Sequence, residues 1–400
     1  MTKIELINRL SAVKLIIGNG FDLHCKLNTA YRDYFLHDTA KNEYFNNWID
    51  KFSSKVRTYT KFQIPNHKEF WVEFENFDKA NIWDFFFILI SRVEGSKPNE
   101  WKWCDIEDII CEWLHENADK GYSHSIYNWG IVYDILSSNN SDGHAIMMYI
   151  LAAIAYKKNG EKMFTIKEEF YTFLLNELKQ FEFNFGKYIY GLHYENTPYG
   201  WTAKTGFKSR AKLTITSLCN PHLLSSIDSF NYDDLENEVF NNILNNINGD
   251  YSMPIFGIDS NEFVAPDIRY IFSKTNRRME LDMLADSSRN YAKFKNVIIF
   301  GHSLNAADYS YFFSVFDKLN IVDLSNDSII VFAFAVFDKK KEQQIKMNLR
   351  TAITRMFIDY SRYKGKIEQP NRLLDALTSQ GKVLMYEINT LDTIEPFSRR

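Results

Sequence analysis

This 400-residue chain has little of what would assign it to a specialised class. Its four cysteines, Cys25, Cys104, Cys111 and Cys219, form no closely spaced zinc pair and no disulfide framework. A reducing, cytoplasmic setting is therefore expected, and no metal. Cys104 and Cys111 stand one heptad apart, so on a helix they share a face as small core residues. The opening MTKIELINRL lacks the charged-then-apolar order of a secretory leader. The longest apolar stretches, 145–156 and 329–337, fall short of the roughly 20 residues that span a bilayer, so no membrane partner is expected. A net charge of −4 and a pI near 6.2 provide no bulk field to recruit a polyanion. Internal repeats and low-complexity linkers are absent as well.

What the chain has in excess is aromatic: 33 Phe and 23 Tyr, with 45% of all residues hydrophobic. Rings at that density suit well-packed helices or a stacking pocket. The hydrophobic period changes along the chain. Residues 13–17, VKLII, are an apolar run that stops at glycine, as expected of a strand buried on both faces. Between about 40 and 205 the period is helical, as in Trp103, Ile106, Ile110 and Leu114, or in Phe170, Phe173, Leu174 and Leu178. Asn28-Thr29 and Thr165 are candidate N-caps for helices that follow them. Strand-like runs return at 212–218, 225–230, 253–258, 296–300, 328–337 and 382–388, with crossover-length segments at 308–318 and 340–360. Strands alternating with helices predict a doubly wound, Rossmann-like α/β domain with a parallel sheet. It is split in sequence, residues 1–40 plus 205–400, around a large helical insertion, 41–204.

The chemistry-bearing motif is Gly18-Asn19-Gly20-Phe21-Asp22, directly after the first apolar run. Glycines permit a sharp bend and close backbone approach, and amides at a helix start attract an anion. The full G-x-G-x-x-G fingerprint is missing because its third position is Leu23. Asp22 complicates a phosphate cradle, since its charge repels a pyrophosphate. It can cap a helix, accept a ribose hydroxyl or hold a metal. His302, just after the 296–300 run, is a candidate base if that strand neighbours the first one. His24 is expected to pack, and His193 and His222 fall in loops. Asp105, Glu107 and Asp108, with Glu73 and Glu75, form either an electrostatic lid or a solvated face. Tyr31, Arg32, Asn231, Asp259 and Asp308 lie near strand ends or the first helix. Lys274, Arg277 and Arg278 suit a phosphate or a solvated face.

The stretch IIGNGFDLHCKLNTAYRDYF resembles the opening of the bacteriophage abortive infection AbiH family. The resemblance continues through Trp103–Glu107, Ser229–Asp233, Ile255–Asp259, Phe272-Ser273-Lys274 with Arg277-Arg278, and Phe300–Leu304 with Asp308. It implies phage defence by abortive infection. A second, coarser likeness is to the sirtuin-like domains of bacterial defence proteins, which bind NAD and in several cases break its nicotinamide–ribose bond. By that likeness Asn231 contacts the nicotinamide ribose, and Ser303 and Leu304 line the adenosine side. One departure is plain. Asn248-Gly249 stands where those hydrolases carry His-Gly, and an asparagine cannot take a proton near neutrality.

The leading expectation is therefore an effector that hydrolyses NAD or a related nucleotide, with Asn231, His302 and Asp22 as catalytic candidates. The nucleotide contacts are expected from Gly18, Asn19, Gly20, Phe21, Thr29, Tyr31, Tyr232, Asp233, Gly301, Ser303, Leu304 and Asp308. A phage component as trigger and a homo-oligomer through the insertion are the further partners expected. The alternatives are a non-catalytic binding module and a metal-dependent hydrolase using Asp22, Asp259 and Asp308.

Overall fold

The structure is a computed structural model that describes residues 10–37, 81–84, 86–87, 103–116, 164, 166–194, 200–233, 235, 243–263, 265–284, 293–365 and 371–388, with isolated positions at 47, 155 and 158–160. Its centre is a six-stranded parallel sheet. The strands are β1 Val13–Ile17, β2 Leu224–Ser229, β3 Leu244–Asn246, β4 Asn296–Phe300, β5 Ile330–Ala335 and β6 Val383–Ile388. They run in the order β3-β2-β1-β4-β5-β6, the doubly wound order whose reversal point lies between β1 and β4.

Alternation along the strands builds two cores. Val13, Leu15 and Ile17 of β1, Ile298 and Phe300 of β4, and Val331 of β5 face one cluster. That cluster is closed by Phe207, Ala211, Ile215 and Leu218 of one long helix. Ile16, Val297, Ile299, Ile330 and Phe332 face the other, under Phe312, Phe316, Met356, Phe357 and Leu377. The helices are α1 Asn19–His24, α2 Tyr31–His37, α3 Trp103–Glu116, α4 Lys167–Tyr194, α5 Gly200–Leu218, α6 Lys274–Leu284, α7 Tyr309–Leu319, α8 Glu342–Tyr363 and α9 Arg372–Ser379. No helix of the described residues is long and apolar enough to cross a membrane.

Two expected strands are not strands. Residues 212–218 are the last turns of α5, where Thr214 and Thr216 donate to the carbonyls of Arg210 and Lys212 four residues back. Their β-branched alternation is overridden because Ile215 and Leu218 complete the helix's apolar face. Residues 253–258 are irregular chain, exposed at Met253 and buried from Pro254 to Ile258, and bridged to Ser273 at Ile258. The boundary drawn at 205 falls inside α5. Thr165, Glu73 and Glu75 lie outside the described residues, as do the side chains of Arg32, Asp105 and His193.

Candidate functional site

Strand register assembles the floor of the site. Ile17 pairs with Ser229 of β2 and Phe300 of β4, and Ser229 pairs with Asn246 of β3. The residues following each strand, Gly18, Phe230, Ile247 and Gly301, are thereby delivered to one edge, the carboxyl edge where open α/β sheets bind ligands. A cavity of about 190 Å³ lies there, lined by Gly18, Asn19, Gly20, Glu107, Phe230, Asn248, Gly301, His302, Ser303 and Asp308.

Its floor is main chain. A Cβ on Gly20 would lie 2.7 Å from Gly301 Cα, one on Gly18 2.8 Å from His302 Cα, and one on Gly301 2.3 Å from the Phe21 nitrogen. Gly301 also has φ +70, a conformation L side chains rarely adopt. The Gly18 amide donates to Phe300 O, that of Gly20 to Gly301 O, and that of Phe21 to Gly18 O. The glycines are thus required for the β1 and β4 loops to touch. Three amides expected to cradle a phosphate are engaged within the protein.

Behind the floor, Asp22 organises a neutral-donor cluster. Its carboxylate accepts from Asn231 Nδ2 at 2.6 Å and Thr29 Oγ1 at 2.9 Å, and Thr29 Oγ1 in turn accepts from Asn19 Nδ2. Burial, aided by the charge of Asp233, pushes the Asp22 carboxyl well above the usual carboxylate range, against those hydrogen bonds. Asp22 braces Asn19 and Asn231 from a fully buried position. The Asn231 carboxamide oxygen is buried without a hydrogen-bond partner.

The wall is a second cluster, built on a cation. Lys274 Nζ, 2% exposed, donates to Glu107 Oε2 at 2.8 Å and Asp308 Oδ1 at 2.7 Å. Arg278 approaches Asp308 at 3.7 Å and donates to Asn248 Oδ1 at 2.8 Å. His302 accepts the Leu304 amide at Nδ1, which leaves its proton on Nε2, 3.4 Å from Asp308 Oδ2. The turn that makes this possible puts Leu304 at φ +57, a left-handed conformation uncommon for a branched residue. Despite full burial, Lys274, His302 and Arg278 hold the Asp308 carboxyl well below its ordinary range. Glu107 goes the other way: burial raises it to about 7 although Lys274 opposes the shift. Its Oε1 is buried and without a hydrogen-bond partner.

Of the expected residues, Gly18, Asn19, Gly20, Gly301, His302, Ser303 and Asp308 line the cavity. Asp22, Thr29 and Asn231 stand behind it. Phe21 packs on Phe300, and Leu304 belongs to the α7-side core. Tyr31 sits in an aromatic cluster, 5.0 Å from Phe185 and 4.9 Å from Phe256 between ring centroids. Tyr232 joins the same cluster and donates to Ile255 O, and Asp233 is fully buried beside Asp22. His24 packs edge-on against Phe300. Arg277 is consumed by a buried pair with Glu182 at 2.7 Å. Asp259 clips Ser310 and Asn261, and among the described residues Asp22, Asp259 and Asp308 do not come together as a group of metal-ligating atoms. Glu107 is the residue sequence reasoning left undecided; its partner Lys274 is 167 positions away.

The segments that carried the family resemblance converge here: Gly18, Glu107, Phe230, Lys274 and His302 come from five of them. The model of the family described as bacteriophage abortive infection AbiH matches residues 15–327, more than half of the chain. No curated protein and no solved structure matches.

Proposed function

The chain belongs to the bacteriophage abortive infection AbiH family, and from that premise we propose a phage-defence effector that binds a nucleotide in the β1–β4 crevice and breaks its N-glycosidic bond. The observation that carries this reading is Glu107. A carboxyl titrating at about 7, with one buried oxygen unpartnered at the cavity wall, is poised to give or take a proton. Glycosidic cleavage needs that, to activate water or assist the leaving group, together with fixed charge near a cationic transition state. Asp308, held ionised, supplies the charge. Lys274 and Arg278 balance two carboxylates, so protonation of Glu107 leaves one positive charge over for a phosphate. His302, with both nitrogens engaged, is a positioning group for Asp308. Asn231, braced by Asp22 behind the floor, is a positioning group for the loop that follows β2.

NAD is the first substrate to test, because the strand order is the one used by dinucleotide-binding sheets. The cavity is smaller than the roughly 300–1,000 Å³ typical of ligand pockets. A dinucleotide therefore enters when α3, which carries Glu107, draws back, and a phage component is the natural cause. Closure at rest restrains an activity whose constant operation would kill the host.

A non-catalytic nucleotide-binding module is the second reading, favoured by the locked His302. Purified protein is incubated with NAD, with and without a divalent metal, and nicotinamide release is followed. Release that disappears in Glu107→Gln while NAD binding persists supports glycosidic cleavage. Binding without release under any activating condition supports the second reading. Failure to bind any nucleotide sinks both.

A further inference from the structure

Further along α3 from Glu107, Cys111 and His115 stand four residues apart, one turn on the same helical face. Facing them is Glu262, from the exposed turn that follows Asp259. The Cys111 sulfur, a His115 ring nitrogen and a Glu262 carboxylate oxygen all lie within 4.8 Å of one another, with His115 Nε2 2.8 Å from Glu262 Oε2. Tetrahedral bonds to zinc of about 2.3 Å for sulfur and about 2.0–2.2 Å for nitrogen and oxygen set donor atoms about 3.3–3.7 Å apart, so the His115–Glu262 hydrogen bond opens by about half an ångström as the cation enters. Both ligand-bearing segments are braced. The His115 ring lies on Phe263, with centroids 4.4 Å apart, and the Arg269 guanidinium also packs over the Phe263 ring, 4.1 Å from its centroid. Arg269 also donates to Leu114 O, one residue before His115.

We propose that Cys111, His115 and Glu262 bind a single thiophilic divalent cation of the zinc class, with the fourth position left to water. The Cys111 proton passes to solvent as the thiolate coordinates. Three protein ligands on a helix and a loop make an exchangeable site rather than a closed structural one. Its consequence is mechanical. Glu107, Cys111 and His115 follow one another at steps of four along α3, so a cation fastening the last two to the loop also holds Glu107 in the crevice. The site stands whether or not the crevice cleaves nucleotides.

Untagged, metal-stripped full-length protein is titrated with cobalt(II). The expected result is about one equivalent bound, with a thiolate-to-cobalt charge-transfer band that zinc abolishes. Cys111→Ser should remove the band with the other three cysteines in place. His115→Ala and Glu262→Gln, at exposed positions that folding tolerates, should each weaken binding at least about tenfold. No band, or a band indifferent to His115→Ala and Glu262→Gln, overturns the proposal. These two variants decide it even if Cys111→Ser fails to fold.

Discussion

Two buried carboxylate clusters meet at the crevice, one on each side of its main-chain floor, and they are held by opposite means. Around Asp22 the donors are neutral: a hydroxyl from Thr29 and an amide from Asn231. Around Asp308 they are cationic, Lys274 at 2.7 Å and Arg278 at 3.7 Å. The two aspartates are consequently displaced in opposite directions, Asp22 upward and Asp308 downward. Equal burial does not make equal chemistry. A carboxyl without a cation is forced toward its neutral form and becomes scaffold, whereas a paired one keeps its charge and can act on a ligand. Glu107 falls between them, since it shares Lys274 with Asp308 and receives too little of it.

The same substitution should therefore have unequal effects in the two clusters. Asp308→Asn leaves Lys274 and Arg278 facing a single carboxylate of marginal ionisation. A loss of about 3–5 kcal/mol in urea unfolding at neutral pH is expected, as for removal of one partner from a buried pair. Asp308 stabilises the fold above its ordinary pKa of about 3.8, and that contribution is lost only as pH falls through its lower folded value. The gap between wild type and variant should be widest near pH 4.5 and narrow as pH rises through about 7, because losing the Asp308 charge lowers Glu107 and lets it ionise against Lys274 in the variant.

Glu107→Gln gives a smaller effect with a distinctive pH dependence. Because burial raises Glu107 to about 7, its favourable contribution is complete below its ordinary value of 4.5 and is lost as pH rises through 7. In that window wild-type stability should fall relative to the variant by up to about 1.4 kcal/mol per pH unit. Parallel curves for the two proteins would mean that Glu107 is ionised throughout. Asp22→Asn should matter least, within about 1 kcal/mol at neutral pH, since a neutral carboxyl and a carboxamide differ little in shape. A loss as large as that of Asp308→Asn would erase the distinction between the clusters.

Much of the frame was legible in the sequence. VKLII and NVIIF are continuous apolar runs because both faces of β1 and β4 are covered, and their adjacency puts His302 against Gly18. β3 was not legible: it has three residues, Leu244-Asn245-Asn246, two of them polar, at the sheet edge. Residues 212–218 misled because alternation over seven residues fits a strand as well as the end of a helix. The glycine turn follows β1 as the sequence indicates, and the close approach its glycines permit is to the Gly301 loop. The roles of Glu107 and Lys274 depend on a helix from one part of the chain meeting another 167 positions on. No local pattern encodes that contact.

The contact between Gly20 and Gly301 also limits how this site can diversify. A floor made of backbone has no side chains to exchange, and adding one carbon at either glycine collides with the opposite strand's loop. Its shape is therefore fixed while the fold persists. Any retuning of what the crevice accepts is left to the rim, above all to Glu107, Asn248 and Ser303, which come from three separate segments. Two relatives could share this floor and act on different molecules, with the difference written in residues that are far apart in sequence.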